Sequence, residues 1–199
     1  LSLHDALPIS ELRLQVELLE PGPTRDDMLE SLGELSAMVR ETLNFVRGDA
    51  VQEATQTLSL NALLDDLARR YRLLNQPVSW AGAAQVQLTC RPLALTRALT
   101  NLIDNALHHA GDATLSLHAE DGERLRLEIL DHGQGIPDAW LSKVFEPFVQ
   151  RTRSGDGLGL GLAIARACIQ AHGGELVLEN RPPAGLCAVV RLPGAVLRS

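Results

Sequence analysis

No apolar run in these 199 residues approaches the roughly 20 residues that a membrane-crossing helix needs, and no signal peptide is visible, so nothing here reads as a span. Basic runs are also missing. With 18 Lys and Arg against 25 Asp and Glu the net charge is −7, which lacks the positive footprint of a chain that tracks nucleic-acid phosphates. Cysteine is scarce: Cys90, Cys168 and Cys187 are far apart and never form a Cys-x-x-Cys pair. That excludes a zinc ribbon or a disulfide framework and leaves buried thiols in a reducing cytoplasm. An initiator methionine is absent too, and the chain enters a helical pattern almost at once, as expected of a fragment of something longer.

What is present is a hydrophobic fraction of 45% with 22% charged residues, the balance of a soluble globular protein rather than a disordered one. The length suffices for one ordinary core plus a smaller element, or for two small modules. Between Glu11 and Glu20 the apolar residues Leu12, Val16 and Leu19 make a helical stripe, which Pro21-Gly22-Pro23 stops. Thr24, followed by Asp26 and Asp27, starts a second helix with the stripe Met28, Leu32, Leu35, Val39, Leu43, Val46. Two such helices form an antiparallel hairpin, half of a bundle that a second copy would complete or that the following domain would cover.

The polar stretch Gly48 to Thr57 has no periodic stripe and marks a domain boundary, giving modules at 1–50 and 58–199. In the second module, Leu60 to Tyr71 reads as a helix with Asn61 as its cap, and Val78 to Trp80 and Val86 to Cys90 as short strands. Pro92 opens a long helix to about Ala110. Strands at Ala113 to Ala119 and Arg124 to Asp131 flank an Asp121-Gly122 hairpin signal. A helix from Ala163 to His172 ends at Gly173-Gly174, and a last strand pair, Leu176 to Glu179 and Cys187 to Leu192, follows. The expected fold class is α+β: a helical hairpin, then an α/β sandwich with a mixed sheet packed on helices.

Three features carry chemistry. Asn101, Asn105 and His108 stand at i, i+4 and i+7 on one face of the long helix, opposite Leu99, Leu102, Ile103 and Ala106. Asparagine is a mediocre helix former, so this face costs propensity; a solvated polar face is the plain alternative. Asp131-His132-Gly133-Gln134-Gly135 ends an apolar strand, where two glycines let backbone approach a flat ring, although a simple turn would read the same way. Finally Gly155-Asp156-Gly157-Leu158-Gly159-Leu160-Gly161 leads into a helix, exposing N–H groups at a positive dipole end. It is no Walker A loop, since Gly-Lys-Ser/Thr is missing.

Taken in order, Asn-x-x-x-Asn, Asp-x-Gly-x-Gly, Phe145-Glu146-Pro147-Phe148 and Gly-x-Gly-Leu-Gly-Leu resemble the four boxes of the catalytic domain of bacterial sensor histidine kinases, over about 140 residues. The resemblance implies ATP and magnesium as ligands. It implies that Asn105 coordinates the metal with Asn101 beside it, which suits a cation that takes few protein ligands. Asp131 would accept from the adenine amine while Gly133 and Gly135 pass the ring. Phe145 and Phe148 would anchor a mobile lid, Arg151 or Arg153 would reach the γ-phosphate, and Gly157, Gly159, Gly161 and Leu162 would close the phosphate side. Of His108 and His109, one is expected near phosphate and one near ribose.

The same family places a dimerising helical hairpin with the phosphorylated histidine before this domain. The chain has His4-Asp5-Ala6-Leu7-Pro8 there, so His4 is the expected acceptor and Asp5 the residue that orients it and takes its proton. Pro8 comes one residue earlier than in the family pattern and its Thr or Asn is absent. Leu1 to Ser10 is either a divergent acceptor box or foreign sequence in its place. His118, His132 and His172 are weaker acceptors, and His172 is expected at a helix C-terminus, favoured by the dipole. The implied function is a protein-histidine kinase core that passes its phosphoryl group to a response-regulator aspartate. It would act as a cytoplasmic homodimer cut from a membrane-anchored parent. The alternatives are an ATPase of the same superfamily, or a non-catalytic ATP-sensing module if His4 is not functional.

Overall fold

A computed structural model describes residues 7–33, 53–82, 85–120, 124–149 and 159–198. The chain divides into two compact units, Leu1–Gly48 and Asp49–Ser199.

In the first unit, α1 spans Leu7–Glu17 and α2 is helical over 23–33. The first helix begins earlier than its apolar stripe suggests because Pro8 falls in the first turn, where a missing N–H costs nothing. It ends at Glu17, before Leu19. Leu12 and Val16 of α1 and Met28 and Leu32 of α2 line one shallow apolar pocket of about 350 Å³. Leu12, Leu14, Leu18, Leu19 and Met28 stay exposed. The rest of the second stripe, Leu35, Val39, Leu43 and Val46, lies outside the described residues, as do His4 and Asp5.

The second unit runs β1 (Gln56–Ser59), α3 (Leu60–Leu73), β2 (Val78–Ala81), β3 (Gln85–Cys90), α4 (Pro92–Ala110), β4 (Ala113–Glu120), β5 (Arg124–Leu130), α5 (Gly161–Ala171), β6 (Glu175–Asn180), β7 (Leu186–Pro193) and β8 (Ala195–Arg198). A five-stranded sheet has the order β2-β4-β5-β7-β6 and a three-stranded one the order β1-β3-β8. In the larger sheet β2 and β4 are parallel and the other neighbours antiparallel, so the sheet is mixed. Alternation decides its faces: Leu125, Leu127 and Ile129 of β5 are buried in the core, whereas Arg126 and Glu128 between them pair on the other side. The apolar face of α4, with Leu95, Ala98, Leu99, Leu102, Ile103 and Ala106, is buried in the same core, as are Leu64 and Leu67 of α3 and Ile164 and Ile169 of α5.

Two sequence readings change. The cap of α3 is Ser59, whose hydroxyl accepts from Ala62 N at 3.3 Å; Asn61 is buried instead, and its Oδ1 accepts from Val86 N at 2.9 Å. The strands β1 and β8 have too little alternation to stand out and exist because β3 pairs with both. His172 sits at the C-cap of α5 as expected, where its Nδ1 lies 2.7 Å from Cys168 O and its Nε2 accepts from Arg91 N at 3.0 Å.

The segment entering the unit is tied to α4. The Glu53 carboxylate accepts from Leu93 N at 2.8 Å and Ala94 N at 3.0 Å, capping the first turn. Arg91 returns the contact, donating from Nε to Glu53 O and from a terminal nitrogen to Ala171 O.

The three thiols are free and buried. Burial, aided by the Glu53 charge, pushes the Cys90 thiol from 9.0 up to about 11. Burial, then the hydrogen bond to Asp104, carries the Tyr71 phenol well above its ordinary range. Both groups are held neutral in the folded state. Their contribution is therefore complete below the unfolded thiol value and is lost as pH climbs through the folded one, at most about 2–3 kcal/mol for the thiol. Urea unfolding should show stability level from pH 7 to 8.5 and falling from pH 9 to 11, with the fall reduced in Cys90→Ala; a decline of equal size in that variant would remove Cys90 from the account.

Candidate nucleotide-binding site

Asn101, Asn105, His108 and His109 lie on the last turns of α4, facing away from the buried Leu102, Ile103 and Ala106. The two asparagines are half-buried and the two histidines exposed. The histidine rings meet edge to face with centroids 4.7 Å apart. Asn101 Nδ2 is buried and has no hydrogen-bond partner among the described residues. Leaving such a donor unmet costs about 1–3 kcal/mol, so the position is not explained by the fold.

What stands beside it is the start of α5. A side chain added at Gly161 would reach Asn101 Cβ at 3.9 Å and Cγ at 4.0 Å, ordinary contact distances. Among the described residues no side chain caps α5, whose N-cap residue is Leu160, which leaves the N–H groups of its first turn open to an anion. The Asn box and the end of the glycine-rich stretch, 60 residues apart in sequence, are thus neighbours.

Asp131 follows β5 and is only 5% exposed. Its Oδ1 accepts from Gly133 N at 2.9 Å and Leu186 N at 3.1 Å, and its own N–H donates to Leu186 O at 2.9 Å. Oδ2 receives no bond among the described residues, so one lone-pair edge of a buried carboxylate is held in place for an incoming donor. Gly133 passes close to the end of α4: a Cβ there would meet Ala110 Cβ at 3.0 Å and His109 O at 3.4 Å. Gly135 has φ +70° and no room for a side chain, since a Cβ would fall 2.6 Å from Asn180 Oδ1. His132 points outward and pairs with Asp112, Nδ1 to Oδ2 at 2.5 Å and backbone N to Oδ1 at 3.2 Å.

Beyond the loop, two 3₁₀ turns at Asp138–Trp140 and Lys143–Phe145 place Leu141, Val144 and Phe145 against the core. The Arg166 guanidinium of α5 lies 5.0 Å over the Phe145 ring, a cation–π contact between the Phe box and the helix of the last glycine box. Phe148 is exposed with φ +67°, and its N–H donates to Gly159 O at 3.1 Å. Gly159 itself has φ +66°. Leu160 is fully buried and Leu162 packs partly against the core. Arg151, Arg153, Gly155 and Gly157 lie outside the described residues.

Along α4, Gly161 stands beside Asn101, and at the C-terminal end Gly133 stands beside Ala110 and His109. Sequence reasoning missed Asp112, Asn180, Gly185 and Leu186, which hold the Asp131 loop from outside. Asp112 directly follows the C-capping Gly111, and the 180–186 turn carried only a generic Pro-Pro and Gly signal. An open groove of about 670 Å³ on the other sheet face, near Arg126, Glu128 and Arg181, touches none of the four boxes; it is occupied by the ion pairs of Glu128 with both arginines.

Residues 90–196 match the family described as histidine kinase-, DNA gyrase B- and HSP90-like ATPases. The chain belongs to this family. The matched residues form an ATP-binding domain of that family, and the relatives are sensor kinases. Sensor histidine kinase GtrS of Pseudomonas aeruginosa is 41% identical over 192 residues, covering 96% of this chain and 40% of that protein. The solved structure of a mycobacterial sensor histidine kinase, MprB, is 29% identical with a TM-score of 0.61, covering 71% of this chain and 98% of that one. Full-length ShkA, solved in complex with AMPPNP, shares the fold at 23% identity and a TM-score of 0.73, over 98% of this chain and 46% of that one. The chain thus spans about 40% of the length of the curated relatives it matches.

Replacing Asn101 by Leu removes the unmet donor and the polar contact together. The nucleotide-free protein should be unchanged or up to about 1 kcal/mol more stable, while nucleotide binding falls at least tenfold, read by thermal unfolding with and without ATP. Loss of stability in the free protein together with undiminished binding would show that Asn101 is a structural residue.

Proposed function

We propose that this chain is the ATP-dependent core of a sensor histidine kinase, which phosphorylates a histidine on its own hairpin and hands the phosphoryl group to an aspartate of a response-regulator receiver domain. The observation that carries the reading is the orphaned Asn101 amide beside the uncapped start of α5. A phosphate chain laid between them answers both sets of unmet donors.

The residues fit a nucleotide with magnesium. The free Oδ2 edge of Asp131 accepts the exocyclic amine of adenine, which selects ATP over GTP. Gly133 and Gly135 present backbone to the ring, and Asn105 offers a neutral amide oxygen of the kind a magnesium ion accepts alongside phosphate oxygens and waters. That ion would supply charge neutralisation on the phosphates. Asn101 donates to a phosphate oxygen. His108 and His109, exposed at the end of α4, stand for phosphate and ribose contacts, and Phe145 and Phe148 stand for the lid anchors that the family resemblance implies. Arg151 and Gly157 complete the phosphate side.

In the transfer itself, a ring nitrogen of His4 attacks the γ-phosphorus while the bond to the β–γ bridging oxygen breaks and ADP leaves; Asp5 takes the proton released from the ring. Phosphotransfer is favoured over hydrolysis because Asn101 stands where hydrolysing members of the superfamily use a glutamate base, and an amide does not take a proton. The exposed leucines of α1 and Met28 of α2 suit a second copy completing a four-helix bundle. Among the described residues no helix is long and apolar enough to cross a membrane; the parent protein is read as membrane-anchored with this part in the cytoplasm.

Incubation with γ-labelled ATP and magnesium should give acid-labile, alkali-stable label on the protein, lost in His4→Ala and reduced at least tenfold in Asn105→Ala. Label that persists in His4→Ala would move the acceptor elsewhere, and rapid release of free phosphate with no phosphoprotein would favour an ATPase.

A further inference from the structure

The four sequence boxes end on α5, but the loop that carries Asp131, Gly133 and Gly135 is gripped from outside them by the turn between β6 and β7. At its first end, the Asp131 N–H donates to Leu186 O and the Leu186 N–H donates back to the Asp131 carboxylate. Gly185, at φ +130°, lies so near that a Cβ would meet Asp131 O at 2.4 Å. At the second end, the Asn180 carboxamide accepts from Ile136 N at 2.9 Å, donates to Ile136 O at 2.7 Å, and donates again to Asp138 Oδ1 at 3.2 Å.

The Asn180 contacts are specific to its chemistry. Reading both backbone groups of one residue needs a donor and an acceptor in a single planar side chain, which only a carboxamide supplies at this length. Aspartate in its place would turn the donor into a second acceptor facing Ile136 O and the Asp138 carboxylate. The span between the two grips contains Gly133 and Gly135, which have wide conformational freedom when unrestrained. Gly135 holds its left-handed conformation directly against Asn180 Oδ1.

We propose that Asn180 is a positioning residue for the nucleotide, acting through Ile136 and Asp138 to fix the Gly133–Ile136 backbone in the shape that receives the adenine ring. Without it the loop stays anchored at Asp131 by Leu186 but is loose at its far end, and ordering it is charged against binding. This inference rests on the reading of the loop as the adenine pocket.

The test is displacement of a fluorescent ADP analogue by ADP on the full chain, comparing the parent with Asp131→Asn, Asn180→Ala, Asn180→Asp, Asp138→Asn and the double variant Asn180→Asp with Asp138→Asn, all checked for folding by circular dichroism. Asn180→Ala should weaken ADP five- to thirtyfold and Asn180→Asp more. The double variant, which exchanges the donor and acceptor across the 180–138 contact, should bind at least fivefold tighter than Asn180→Asp alone, a recovery that general destabilisation would not produce. Asn180→Ala within twofold of the parent, or no recovery in the exchanged pair, overturns the proposal while Asp131→Asn still weakens binding. No binding by the parent chain overturns the nucleotide reading itself. If Asn180→Ala does not fold, the comparison of Asn180→Asp with the exchanged pair decides the question alone.

Discussion

The Asp131 carboxylate is buried at the end of β5, and the two hydrogen bonds it accepts both land on Oδ1. Much of the site's geometry follows from that asymmetry. One oxygen joins the strand end to the glycine loop through Gly133 and to β7 through Leu186, so three elements meet on a single atom. The other oxygen receives no bond among the described residues, and its position is already decided. Burying a carboxylate is costly unless hydrogen bonds return most of what water supplied, and here the bonds that offset burial are the ones that aim the group. The turn that provides Leu186 also provides Gly185 and Asn180, so the glycine loop is shaped from the 180–186 turn as much as by its own sequence.

A similar division runs through α4. Its buried face, from Leu95 to Ala106, packs in the core of the second unit. Its first turn is capped by Glu53 from the incoming segment, and Asp104 on its exposed side is engaged by the Tyr71 hydroxyl at 2.6 Å. With the helix held at its start and on its flank, Asn101 can remain unsatisfied without the helix moving to relieve it. Sites that keep such an unmet group are stabilised by their surroundings, and the deficit is removed when the ligand arrives.

Much of this was legible in the sequence because the signals were periodic or stereochemically forced. The long helix from Pro92 to Ala110 was set by an apolar stripe, a proline at its first turn and Gly111 after it. Asp131 and its glycines were marked by their place at the end of an apolar strand. The Asn101 and Asn105 pair stood out because asparagine in mid-helix has no local benefit. The misses share a cause: β1 and β8 are short strands that depend on β3 as a partner. Asn61 became a buried bond to Val86 rather than a cap because Ser59 was better placed. Asn180 looked like any polar strand end, since a side chain that acts on a residue 44 positions away leaves no local pattern.

The account turns on whether Asp131, the Asn face of α4 and the start of α5 form one nucleotide site. Amide hydrogen exchange on the full chain, with and without magnesium ATP, tests this most directly. Exchange should slow together at Gly133–Ile136, at Gly161–Ile164 and across the 180–186 turn, and GTP should leave those amides unchanged. Protection confined to the opposite sheet face around Arg126 and Arg181, or none in any segment, would contradict it.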